Sequence, residues 1–162
     1  MAADEIVVRA CREADVAVLA AMMRDIWYDS AGYRKVEEWY GVAVGGRHWW
    51  EHKADTLRNI FREHPDRVLV AEVDGEVTGY ATLIVEPGGI GCVGENGVHP
   101  KYRRRGIGKR LHEAVLRRLK DAGVSLVFVT TTLENTPARR VYESHGFQTI
   151  HTNVLMVNRF DT

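Results

Sequence analysis

Val98-His99-Pro100-Lys101-Tyr102-Arg103-Arg104-Arg105-Gly106-Ile107-Gly108-Lys109-Arg110-Leu111 is the stretch on which the reading of this chain turns. It follows an apolar, strand-like run and leads straight into an amphipathic helical pattern. Its glycines and arginines therefore fall at a strand-to-helix turn, where backbone N–H groups are free to hold an anion. Gly106 and Gly108 lack a Cβ, so ligand oxygens can come close to the backbone, while Arg103, Arg104, Arg105 and Lys109 add positive charge. In outline this is a pyrophosphate cradle, and the remainder of the chain has to say for which ligand.

Composition narrows the choice. The 162 residues suit one domain, taken as 1–162, and 45% hydrophobic with 27% charged residues is enough to build an ordinary core. With 22 basic and 22 acidic side chains the formal net charge is zero, so the basic cluster is local and the surface as a whole is not polycationic. No stretch approaches the roughly 18 apolar residues a membrane span needs, and the expectation is a soluble, cytoplasmic protein. Cys11 and Cys92 fit neither a disulfide framework nor a zinc site, and no metal is expected.

Around the central stretch the pattern reads as alternating sheet and helix. Ile6 to Val8 form a short strand. Val16, Leu19, Ala20, Met23, Ile26 and Trp27 recur at helical spacing. Residues 28–50 lose that period and interleave Gly32, Gly41, Gly45 and Gly46 with Tyr33, Trp39, Tyr40, Trp49 and Trp50; these aromatics either line a pocket or anchor the segment to the core. A helix is expected over about 48–63 with Trp50, Ala54, Leu57 and Phe61 on one face. Asp74-Gly75 between two β-branched runs predicts a hairpin, and a third strand runs from Ile90 to Val98. After the turn, Ile107, Leu111, Ala114, Val115 and Leu119 mark a buried helical stripe, with Glu113 and Arg117 paired outside. Val124 to Thr130 reads as a central strand covered on both faces, parallel to its predecessor. A short helix with Thr136 as N-cap and Pro137 first ends at Gly146, and 147–150 with 153–157 are expected to close the sheet as a β pair.

The phosphate turn is neither a Gly-x-x-x-x-Gly-Lys-Ser/Thr loop nor a complete dinucleotide fingerprint, whose third glycine is missing. It resembles the acetyl-coenzyme A loop of the GNAT superfamily of N-acetyltransferases: Val98-His99-Pro100 ends the strand, and Arg103 to Gly108 match Arg/Gln-x-x-Gly-x-Gly/Ala. A second family block, Asn-x-x-Ala-x-x-x-Tyr-x-x-x-Gly-Phe, matches Asn135, Ala138, Tyr142, Gly146 and Phe147. The two blocks together, in order and at the family's distance, are far more specific than either alone. The resemblance covers about 68–150 well. It implies an α/β (α+β) fold with a mixed, largely antiparallel sheet of about six or seven strands, about four flanking helices, and a parallel splayed strand pair around the acetyl-CoA site.

The resemblance also implies roles. Backbone groups of Asn96, Gly97 and Val98 would lie along the pantetheine arm and acetyl group. Arg103, Arg104, Arg105, Gly106, Ile107, Gly108 and Lys109 would hold the pyrophosphate, and only the turn from Arg104 onward need touch it. Asn135 and Tyr142 would line the coenzyme, Tyr142 as the acid for the departing thiolate. Glu95 is the candidate base, provided that a bulge reconciles its parity with that of Asn96 and Val98; His99 is the other candidate, with a turn role beside it. Members acting on protein N-termini often carry a glutamate on the strand ending here at Val129-Thr130, where this chain has threonine. Cys92 lacks an evident histidine partner for a nucleophile's role. Acetyl-CoA and a primary amine are thus the expected partners, with no nucleic acid and no membrane; a homodimer is left open. The acceptor side is assigned to 28–50. The alternative from another class is an acyl-CoA sensor or interaction module without turnover, and a third is nucleic-acid binding through Arg103 to Arg110, Arg117 and Arg118.

Overall fold

The Asp74-Gly75 turn is where the sheet is set. Both residues adopt positive φ, 51° and 84°, the conformation that a tight hairpin between twisted strands requires. In the computed structural model, which describes residues 5–29, 32–42 and 45–158, this turn joins β2 (Val68–Val73) to β3 (Glu76–Glu86). β1 (Ile6–Ala10) pairs antiparallel with β2, and β3 pairs antiparallel with β4 (Ile90–Val98). β5 (Leu126–Val129) runs parallel to β4 from Ile90↔Leu126 to Val93↔Val129, giving the order β1-β2-β3-β4-β5.

Helices cover both faces. On one side α1 (Glu13–Trp27) and α3 (Trp49–Glu63) bury Leu19, Met23, Ile26, Ala54 and Leu57 against Val68, Val70 and Tyr80. Between them in sequence lies α2 (Gly32–Tyr40), which buries no residue. It is tied to the start of α3 by Glu37, which accepts from Trp49 N at 2.9 Å and pairs with His48 Nδ1 at 2.6 Å. On the other side α4 (Ile107–Asp121) sets Ile107, Leu111, Val115 and Leu119 against Leu69, Ala71, Leu83 and Val93. Each such fully buried aliphatic side chain contributes roughly 1.5–3 kcal/mol, which holds the turn before α4 against the end of β4. α5 (Thr136–Ser144) follows β5.

Several expectations need correction. Among the described residues the sheet has five strands rather than six or seven, because residues 147–158 form no strand. An apolar run becomes a strand only by hydrogen bonding to an edge, and this one stays outside the sheet, with Ile150, Val154, Leu155 and Met156 exposed. β5 is consequently an edge strand with Leu126 and Phe128 exposed, rather than a central strand covered twice. Among the described residues there are five α-helices: α2 occupies part of the segment expected to be aperiodic, of which residues 30, 31, 43 and 44 lie outside the described residues. Trp50 and Phe61 pack partly buried against the cluster that holds Ala54 and Leu57, as expected, and Trp49 is buried as well, at 4% exposure. Asn135, one residue earlier than expected, caps α5 by accepting from Ala138 N at 3.4 Å. Glu113 sits 4.0 Å from Lys109 and 3.6 Å from His145 instead of pairing with Arg117. Among the described residues, no helix is long and apolar enough to cross a membrane.

Candidate active site

β4 outruns its parallel neighbour. β5 stops pairing at Val129 opposite Val93, while β4 continues to Val98, so the strands part and residues 94–98 have no β5 partner. Strand backbone left unpaired in this way can bond an extended ligand. The same stretch carries a β-bulge. Ala81 pairs with Asn96 and Leu83 with Val93, so three steps along β4 face two along β3, and the extra residue falls at Gly94-Glu95.

The bulge reverses the alternation of side chains. Val93 packs toward α4, and if these same residues ran as an unbulged strand Glu95, two positions on, would share that face. Instead Glu95 points toward α1 and α3, where it forms an ion pair with Lys53 and accepts from the Tyr80 hydroxyl at 3.3 Å. Tyr80 is fully buried and also accepts from Trp27 Nε1 at 2.9 Å. Burial and the Glu95 charge push its phenol well above the usual range, so it remains a donor. The Lys53 ammonium lies 4.1 Å from the centre of the Trp27 ring, a cation–π contact that adds to the ion pair. Gly97 belongs to this face too: a Cβ there would come within 2.2 Å of Ile26 Cγ2, so only glycine lets α1 lie this close to β4.

Asn96 faces the other way. Its Nδ2 donates to Gly94 O at 3.0 Å and to the Tyr142 hydroxyl at 3.3 Å, and its Oδ1 is 3.5 Å from that hydroxyl. Receiving a hydrogen from Asn96 leaves the phenol's own hydrogen for another acceptor. Tyr142 is buried on α5, and burial raises its pKa, opposed by the Asn96 hydrogen bond, with a smaller upward push from Cys92. The hydroxyl is therefore protonated at neutral pH, the state a proton donor needs.

Behind Tyr142 stands a pair of histidines. The His112 ring, 3% exposed, lies 5.1 Å from the Tyr142 ring and 5.4 Å from that of Phe147. Its Nδ1 is 3.2 Å from His145 Nδ1, which also lies 2.8 Å from Val141 O. With its single Nδ1 hydrogen His145 donates to the carbonyl and shares that hydrogen with His112 Nδ1, which leaves the His112 Nε2 hydrogen buried without a partner, as that atom is found. Burial first, and then His145, lowers the His112 pKa to about 4.

Beyond the gap, the turn into α4 separates the arginines. Arg103 donates to Val98 O at 3.0 Å and Ile26 O at 2.9 Å, and pairs with Asp29 at 3.0 Å, so its guanidinium clamps the end of β4 to the end of α1. Arg104 has φ 63° and Gly106 φ 81°, a left-handed sequence that turns the chain into α4. No side chain caps α4, so the N–H groups of Ile107, Gly108 and Lys109 face the turn. Arg104 and Lys109 are exposed on that turn, and the Arg105 guanidinium lies 5.4 Å from the centre of the Tyr102 ring. Asn135 is partly buried at the N-terminus of α5, which also carries Tyr142.

The remaining candidates separate from this constellation. His99 caps the short turn Pro100–Tyr102 by accepting from Lys101 N, and lies 3.5 Å from Asp25. The Cys92 thiol is raised by burial and by Glu86, which disfavours the thiolate a nucleophile needs. Trp39 is 70% exposed on α2, and Trp49 belongs to the core. A surface cleft of about 470 Å³ is lined by Val18, Met22, Val77, His99 and Tyr102, but by none of Glu95, Asn96 and Tyr142. Among the described residues no group of three or more His, Cys, Asp and Glu side chains is placed to hold a metal ion.

Sequence reasoning did not single out Lys53, Tyr80, His112 or His145. A signal for the first existed: Trp50, Lys53, Ala54 and Leu57 follow the spacing of one helix face, so Lys53 is a charge within an apolar stripe.

Comparison with known proteins agrees with this architecture. The family model described as "Acetyltransferase (GNAT) family" matches residues 21–147, and the chain belongs to that family. A mycothiol acetyltransferase of Saccharomonospora viridis is 30% identical over 140 residues, covering 86% of this chain and 37% of the relative. An N-alpha-acetyltransferase of Sulfurisphaera tokodaii is 32% identical over 101 residues, covering 55% of this chain and 60% of the relative. The chain thus spans little more than a third of the mycothiol acetyltransferase's length. Among solved structures, the PaiA N-acetyltransferase of Thermoplasma acidophilum, in complex with coenzyme A, has the same fold with a TM-score of 0.74 at 19% identity, covering 92% of this chain and 93% of that one.

Proposed function

We propose that this chain transfers an acetyl group from acetyl-CoA to a primary amine of a small molecule or peptide, directly and without an acyl-enzyme. The observation that carries the reading is the Tyr142 hydroxyl, buried, protonated and 3.3 Å from the Asn96 amide, at the point where β4 leaves β5. Family membership supports it, as do the names of relatives, one of them an N-alpha-acetyltransferase.

In this reading the thioester lies along Asn96, Gly97 and Val98, the pyrophosphate meets Arg104 to Lys109 at the start of α4, and Asn135 lines the coenzyme from α5. A backbone N–H near Val98 stabilises the oxyanion of the tetrahedral intermediate. Tyr142 gives its proton to the departing thiolate, and Glu95, on the opposite face of β4, takes the proton of the attacking amine. The bulge sets which side each serves, Glu95 toward α1 and α3 and Asn96 toward Tyr142 rather than the reverse.

Free thiol released from acetyl-CoA in the presence of a panel of amines tests the proposal. Tyr142→Phe is expected to lower kcat roughly 100-fold with little change in KM for acetyl-CoA, the loss of one positioned proton donor. Tight acetyl-CoA binding without thiol release for any amine would favour a sensor instead.

A further inference from the structure

Resting on the acetyl-transfer reading, we propose that Lys53 is itself an acceptor, so that the chain acetylates its own Lys53 Nζ from acetyl-CoA. The candidate base already has a partner within the chain. Its carboxylate already holds a primary amine, the Lys53 ammonium, in an ion pair whose side chains are 16% and 20% exposed. That ammonium, projecting from α3, is held on two sides: by Glu95 and by the face of Trp27 at 4.1 Å. The neighbouring residue on β4, Asn96, carries the Tyr142 contact on the opposite face. One primary amine of the protein thus stands where an acceptor amine has to stand, against the base and one residue from the acid's partner. The chain has five lysines, and Lys35, Lys101, Lys109 and Lys120 are all exposed. Lys53 alone is partly buried, so its amine is positioned rather than mobile.

The step balances with acetyl-CoA as the only co-reactant. The ammonium loses one proton to the Glu95 carboxylate, and the freed lone pair attacks the thioester carbonyl carbon. The C–S bond breaks as the N–C amide bond forms. The second proton released from nitrogen balances the one that Tyr142 gives to sulfur, and the products are coenzyme A thiol, an N-acetyl-lysine and one proton passed from Glu95 to water. Acetylation also removes the charge that pairs with Glu95.

The full chain is incubated with [13C]acetyl-CoA and no amine, and label at each of the five lysines is followed by peptide mass spectrometry after cleavage at acidic or aromatic residues. Lys53 is expected to fill at least about ten times faster than the other four, as a held amine should. Glu95→Gln is expected to slow it roughly 100-fold while leaving the others unchanged, and a thermal melt of that variant reports whether it is folded. Lys53→Arg, which keeps the positive charge beside Glu95, should abolish label at that peptide alone. Equal labelling of all five lysines, or equal labelling of Lys53 in Glu95→Gln or in heat-denatured protein, means ordinary chemical acetylation and overturns the proposal. Thiol release with free amines while Lys53 stays unlabelled overturns it too, leaving acetyl transfer intact. Failure to bind acetyl-CoA or to release thiol at all takes down both.

Discussion

Mild acid should loosen this protein through His112, before its carboxylates are protonated. The ring is 3% exposed among Tyr142, His145 and Phe147, and its folded pKa is lowered to about 4 against an ordinary 6.5. Of the charges that bear on it, His145 lowers the value further and Glu113 opposes the fall. A base whose folded pKa is depressed favours the unfolded chain wherever only the unfolded chain is protonated. Its contribution is fully present above about pH 6.5, falls between there and about pH 4, and then levels off. Evaluating the linkage between the two values gives a loss from neutral pH of about 1.2 kcal/mol at about pH 5.5 and about 2.4 kcal/mol at about pH 4.5. The assay is chemical denaturation at several pH values of the wild type and of His112→Leu, which has similar volume and no titrating group. The difference in unfolding free energy between the two proteins, rather than either alone, should shift by those amounts, because the other titrating groups are common to both. A shift smaller than about 0.5 kcal/mol over the window would refute the claim that His112 is buried neutral behind the tyrosine.

Two further substitutions test how the site is assembled. Arg103→Ala, which removes donors to Val98 O and Ile26 O and a half-exposed pair with Asp29, should cost about 2–3 kcal/mol in a denaturant melt. Arg104→Ala, one residue along, should leave stability nearly unchanged and raise KM for acetyl-CoA; reversed effects would contradict the separation of clamp from phosphate turn. Gly97→Ala pushes a methyl to within 2.2 Å of Ile26 Cγ2 and should cost about 1–3 kcal/mol through displacement of α1, whereas an unaltered melting temperature would show that the helix is not packed against β4 as described.

How far the sequence could be read depended on whether a feature is written locally. The Asp74-Gly75 hairpin, the α4 stripe from Ile107 to Leu119 and the Gly106 turn each depend on residues close in sequence, and all three are observed. Helix α2 escaped although Tyr33, Val36 and Tyr40 recur at helical spacing, because the glycines at 32, 41, 45 and 46 that bracket so short a run read as a loop. Residues 153–157 have the composition of a strand, but pairing partners are a tertiary matter, and the same gap led Val124 to Thr130 to be read as central when β5 is an edge. Within the site, Tyr142 and Asn96 were legible as residues, whereas their 3.3 Å contact was not. The triple arginine shows the limit well: three identical side chains in a row, of which the first is committed to the carbonyls of Val98 and Ile26, residues that only the fold brings together.

The single extra residue at Gly94-Glu95 decides which residues of β4 face which layer of helices. A chain shortened by Gly94 could still build β4, since regular pairing would simply resume. Strict alternation would then place Glu95 opposite Val93, on the α1 and α3 side it already occupies, and Asn96 would still face Tyr142. What that deletion removes is the local bend and added twist of the bulged strand. A residue added at the same place, with one bulge kept, acts on the sidedness of the strand: it turns Val93 out of the α4 core or exchanges the sides of Glu95 and Asn96. Homologous chains that perform the same two-sided chemistry should therefore tolerate the loss of Gly94 better than the gain of a residue beside it.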